Sequence, residues 1–213
     1  MRVGTNSAPS SPAELLGDPH PLLEQLGSAD DLAVAVTLEG AVDFHRVSSL
    51  PSLRAFLHAY RADVLVPIEL PSIVNAHACA SRSQLRELIA LDQQLSKERA
   101  LRPFAAASYR VGQRQLSRLR PMRDQRLVQR YLAAIEAGDA RGWHTLVFGV
   151  SLAMFSLPLR QGLQHYVEQT INGFVESAAR SLHLAEAERA SLLSEHSATI
   201  PACLNAALSH AIR

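Results

Sequence analysis

In "DQRLVQRYLAAIEAG" the apolar residues Leu127, Val128, Tyr131, Leu132 and Ile135 recur at i, i+1, i+4, i+5 and i+8, which places them on one helical face, and Gly138 supplies a stop. "SRSQLRELIALDQQLSKERA" repeats the design, with Leu85, Leu88, Ile89 and Leu95 along one side, and it opens on Ser81 and Gln84 at capping-box spacing. Pro51 starts another helix, carrying Leu53, Phe56, Leu57 and Tyr60. Pro67 and Pro71 punctuate the approach to "SIVNAHACA", and further helices are predicted to follow Pro103 and Pro158. Two stretches resemble strands, "LAVAVTLEG" and "DVLVPIEL". No turn signal pairs them and Pro67 interrupts the second, so both are read as irregular or helical. The pattern predicts an all-α, single-domain bundle of about eight to ten helices.

One run breaks the amphipathic rule. "GWHTLVFGVSLAMFSLPL" carries no Asp, Glu, Lys or Arg between Arg141 and Arg160. It reaches the length at which a membrane span becomes conceivable. Gly142, His144, Thr145, Gly149, Ser151, Ser156 and Pro158 interrupt it, however, and no second run of this kind accompanies it. The expectation is a helix buried on all sides in a globular core.

Composition narrows the class. The 213 residues are 47% hydrophobic and 19% charged, and 21 basic against 20 acidic residues leave no global field to attract nucleic acid or an anionic membrane. Cys79 and Cys203 stand alone without a CxxC, which argues against a disulfide framework or zinc cluster and for a cytoplasmic setting. Residues 1–17, rich in Ser, Pro and Ala without an apolar segment, read as a poorly ordered lead-in, and 18–213 as the folded domain.

Candidate chemistry is sparse. His196, Cys203 and His210 recur every seven residues, but on one helix they would stand about 10 Å apart, too far to share one metal ion. His144, at the start of the uncharged run, is placed to cap backbone groups of its first turn. No nucleophile elbow, zinc-protease motif or phosphate loop is present, so no catalytic or metal-binding residue is assigned.

The strongest anomaly is basic. Eight arginines lie between Arg102 and Arg130, with Asp124 the only acid among them. Arg110, Arg114 and Arg118 at i, i+4 and i+8 line one helical face, where their guanidinium groups could fork onto carboxylates or phosphates; the plainer reading is a solvated face. On the same segment Ala107, Ser108, Val111 and Gly112 form a small-residue stripe, and Gly173, Ser177 and Arg180 form another in "NGFVESAARS".

The order of these pieces resembles the urease accessory protein family UreF from about Leu22 to Leu208. In "ERALRPFAAASYRVGQRQLSRL" the likeness rests on Ser108, Gly112 and Arg114, and in the long pair beginning "WHTLVFG" on His144, Gly149, Ser177, Ala178 and Arg180. "TLEGAVDF" is similar to the family's "GLE" segment, with Glu39 the counterpart of its acid. The sequence departs from the family's patterns in having "LAVAV" just before "TLEG" and "HLAEAERA" after the second long helix, and in ending at Arg213 without a basic tail.

The resemblance implies an all-α, homodimeric chaperone component with no cofactor of its own, nickel passing only in transit. Its implied role is to join a UreG-type GTPase to a UreD/UreH-type scaffold and assist nickel insertion into apo-urease. Glu39, Ser108, Arg110, Gly112, Arg114, Arg118 and Arg180 would then serve partner or dimer contacts, and His144, Gly149, Gly173 and Ser177 helix packing. Neither nucleic acid nor membrane is an expected partner. Two alternatives stay open: an assembly factor for a different metalloenzyme, and a small all-α haem-binding enzyme with His20 or His144 as axial ligand. A helix-turn-helix repressor would need a basic recognition helix in the first fifty residues, and none is visible.

Overall fold

The computed structural model describes residues 46–122 and 125–210, which are helical or lie in the turns and loops between helices, with no strand among them. Glu39, His20, the lead-in 1–17 and "LAVAVTLEG" lie outside the described residues.

The first helix, α1 (Leu50–Tyr60), is set by Ser49, whose hydroxyl accepts from the Ser52 amide while the Ser52 hydroxyl accepts from the Ser49 amide. This reciprocal cap and Pro51 in the first turn satisfy or remove orphan donors. The chain then runs without a break through a π-helical segment, Arg61–Glu69, into α2 (Leu70–Ser81). Pro67 explains the widening. In an α-helix its ring would strike the carbonyl four residues back, and i→i−5 bonding, as from Leu70 N–H to Leu65 C=O, relieves the crowding without ending the rod. "DVLVPIEL" is therefore helical.

A tight turn with Ser83 at φ 55° leads to α3 (Leu85–Leu95), and a 3₁₀ turn (Arg99–Phe104) leads to α4 (Ala105–Arg118). The expected capping box is absent: Ser81 closes α2, its hydroxyl donating to the His77 carbonyl, and Gln84 precedes α3 without a side-chain cap. Helix α5 (Arg126–Ala137) buries Leu127, Val128, Tyr131 and Leu132, and Gly138 ends it at φ 85°, in the left-handed region glycine enters without strain. Then come α6 (His144–Met154), α7 (Leu159–Leu182), α8 (Glu186–Ser197) and α9 (Ile200–His210). Since α1 and α2 form one rod, the separate helices among the described residues are slightly fewer than the eight to ten expected. His196 lies on α8 and Cys203 and His210 on α9, with Pro201 in the first turn of α9, so the seven-residue spacing spans two helices.

Helix α6 is the axis of the bundle. Every residue from His144 to Leu152 is buried, which is why the run carries no charge. On one side it meets α2 so closely that a Cβ on Gly149 would stand 2.4 Å from the Ile73 carbonyl oxygen. On the other it meets α4. An eleven-residue helix enclosed in this way is too short to span a bilayer. Among the described residues one helix, Leu50–Ser81, is long and apolar enough to do so, but 50% of its apolar window is buried in the bundle, and core helices pass the same test. Phe56 and Tyr60 of α1 pack edge-on against Phe174 of α7, with ring centroids 5.0 and 4.9 Å away, joining that rod to the other side of the core.

Candidate interaction surface

Helix α4 divides cleanly into two faces. Ala107, Ser108, Val111, Gly112, Gln115 and Leu116 are buried, while Arg110, Gln113, Arg114, Ser117 and Arg118 are exposed. The small stripe lets α4 approach the segment entering α6 at backbone distance. A Cβ on Gly112 would sit 2.1 Å from the Gly142 carbonyl oxygen and 2.9 Å from the His144 nitrogen. The Ser108 hydroxyl accepts the His144 amide at 3.0 Å, satisfying an orphan donor of the first turn of α6. Gln113 donates to the Arg141 carbonyl at 2.9 Å, and Tyr109 packs edge-on against Trp143 at 4.6 Å. Ser108 and Gly112 are therefore engaged in packing within the chain, on the buried face of α4. The arginine row remains outside.

The segment α4 rests on is itself held. Asp92 of α3 is fully buried, and its carboxylate accepts from Tyr131 Oη (2.6 Å), Arg141 N–H (2.6 Å) and Gly142 N–H (2.9 Å). Trp143 Nε1 donates to Ser96 Oγ at 3.1 Å. Charge-assisted bonds from three directions fix the loop, and the loop fixes the height at which α4 presents its arginines.

His144 takes a different part from the one expected. Its ring caps nothing: neither nitrogen has a hydrogen-bond partner among the described residues, and the first-turn amide is capped by Ser108 instead. The ring lies against Phe148 and Tyr166, with centroids 6.1 and 5.6 Å away, and burial lowers its pKa to about 4, so it is neutral at pH 7. It is 0% exposed, and a haem could reach it only by opening the core.

Across Tyr166 lies a buried carboxyl that no sequence pattern marks. Glu69, at the end of the π-helical segment, accepts at the same oxygen, Oε2, from Tyr60 (2.6 Å) and Tyr166 (3.2 Å). Burial raises its pKa to about 7 against the lowering effect of the two phenols, and burial pushes both phenols well above their usual value.

Of the remaining expected residues, Gly149 and Gly173 are buried, Ser177 is half-buried, and Arg180 is exposed in the last turn of α7 rather than on the α4 row. His165 is buried, Cys203 is a buried free thiol and Cys79 a half-buried one. No group of three or more His, Cys, Asp and Glu among the described residues is placed to hold a metal ion.

The UreF family model matches residues 47–196, the span from just before α1 to the last turn of α8. The chain belongs to the UreF family. Membership carries a urease accessory role, in a family of accessory chaperones rather than of catalysts. No curated protein matches the chain. Within the UreF match lie the whole arginine row, the Asp92 anchor, the α2–α6 contact at Gly149 and the Glu69 cluster; Glu39 and α9 fall outside it.

Proposed function

We propose that this UreF-family chain bridges a UreG-type GTPase and a UreD/UreH-type scaffold during nickel insertion into apo-urease, acting as a homodimer and leaving catalysis to the GTPase. The observation that carries the reading is the division of α4 into a buried face locked to the α6 entry and an exposed row of Arg110, Arg114 and Arg118. Such a row, on a support that does not have to be ordered at the moment of contact, suits an acidic protein surface better than a flexible lysine patch would. Arg180, on α7, and Glu39 are assigned to further contacts. Nickel is cargo, and no resident cofactor is assigned.

Co-purification with a UreG-type GTPase and a UreD-type scaffold tests the proposal. The wild-type chain should capture a partner, and Arg110→Glu with Arg114→Glu should lose it while helicity and melting temperature stay unchanged. Capture of neither partner by the wild type removes the urease bridging role, and undiminished capture by the double variant removes the α4 face from it.

A further inference from the structure

A second basic site lies on other helices, away from the arginine row of α4. Arg54, His58 and Arg61 follow one another at i, i+4 and i+7 along α1 and the start of the π-helical segment, which puts them on one face. That face opens on a cleft of about 420 Å³ closed by Glu195 and His196 of α8 and by Thr199, at the entrance to α9. Arg54 engages Glu195 through two bonds, Nε to Oε2 at 3.0 Å and Nη2 to Oε1 at 2.8 Å, so the one carboxylate lining the cleft is already matched. Among the described residues Arg61 makes one hydrogen bond, Nη1 to Thr199 Oγ1 at 3.0 Å, and Thr199 Oγ1 in turn donates to the His196 carbonyl. Most of the Arg61 fork thus faces the cleft without a carboxylate partner among the described residues.

His196 adds an independent sign. It is 8% exposed, and its Nδ1 is buried with no hydrogen-bond partner among the described residues. A buried polar nitrogen left unmatched beside a cleft marks a place where a ligand would relieve a desolvation cost. The surroundings fix the sign of that ligand's charge. Burial and the nearby charges of Arg61 and His58 hold the imidazole below its usual pKa, opposed only by Glu195. Two guanidinium groups repel a cation, and His58, Glu195 and His196 do not form a metal-binding group.

The geometry points to an oxyanion site in which the Arg61 guanidinium and the His58 and His196 imidazoles hold a phosphate group, while the Arg54–Glu195 pair forms the wall. Arginine forks suit the tetrahedral oxygens of phosphate, and a neutral imidazole can donate to them from one ring nitrogen. The cleft falls within the range of about 300–1,000 Å³ typical of small-molecule sites, larger than inorganic phosphate needs, so it has room for the organic part of a phosphate ester.

The test is a titration of the full chain with inorganic phosphate and, separately, with ATP at constant ionic strength, following the imidazole NMR signals of His58 and His196. Both signals should shift saturably. Arg61→Gln should weaken the binding by about tenfold or more, the effect of removing a charge-assisted fork. Should Arg61→Gln lower the melting temperature, the exposed substitution His58→Gln serves in its place, with a smaller loss in the same direction. Saturation by ATP at lower concentration than phosphate identifies an ester as the ligand, and equal saturation identifies free phosphate. Shifts that track chloride equally, or that saturate identically in Arg61→Gln and His58→Gln, overturn the site.

Discussion

At the scale of single residues, the core holds two titratable groups whose effects oppose. Glu69 has its pKa raised by burial from 4.5 to about 7, so its contribution to stability is fully present below pH 4.5 and is lost as pH rises through 7. His144 has its pKa lowered from 6.5 to about 4, so its contribution is present above pH 6.5 and is lost as pH falls through 4. Each shift corresponds to about 3 kcal/mol, and between pH 4.5 and 6.5 the two slopes nearly cancel. The variants should unmask them. Glu69→Gln should give a protein whose urea midpoint climbs with pH over that interval, and His144→Leu one whose midpoint falls. Parallel curves for wild type and both variants would show that neither group titrates differently in the folded protein. These residues also mark where sequence reading stops. Glu69 and Tyr166 are 97 positions apart, and Ser108 and His144 are 36 apart, so no local spacing announces either contact. The position of His144 at a helix start is legible, but the hydroxyl that caps it belongs to another helix.

At the scale of helices, periodicity is informative wherever one face meets water. The α5 stripe and its Gly138 stop can be read directly, as can the exposed spacing of Arg110, Arg114 and Arg118. The uncharged α6 is legible for the opposite reason, since a helix enclosed on all sides has no polar face to display. Reading fails where one signal serves two elements: Ser81 has the composition of a cap for α3 but closes α2. Pro67 is legible as an interruption, though not as one the rod survives by widening its turn. The stripe on α4 predicts a surface on which another helix can sit, and the helix that sits there belongs to the same chain. Gly112→Ala tests that contact, because the obstacle is the Gly142 backbone oxygen, which cannot swing aside. The substitution should cost about 1–3 kcal/mol in chemical denaturation, the range for overpacking a tight contact. An unchanged midpoint would mean that α4 and the α6 entry lie farther apart than a 2.1 Å approach of the added methyl implies.

For the whole molecule, the two exposed basic features are held by different means. The α4 row stands on a platform fixed by Asp92, Gly112 and Ser108, whereas the Arg61 cleft lies where α1, α8 and α9 meet, and α9 falls beyond the residues matched by the family. Family membership is legible in the order of weak motifs along the chain, and the motif residues Ser108, Gly112, His144 and Gly149 stand at close contacts between helices. Partner choice is less legible, since it depends on surfaces whose complement is another molecule. The most direct measurement is therefore the dissociation constant for a UreD-type scaffold or UreG-type GTPase, comparing wild type with Arg110→Glu plus Arg114→Glu at matched melting temperature. The wild type should bind with an affinity that weakens with added salt, and the variant should lose about 100-fold or more, as expected for reversing two interface charges. Equal affinities for the two proteins would contradict it.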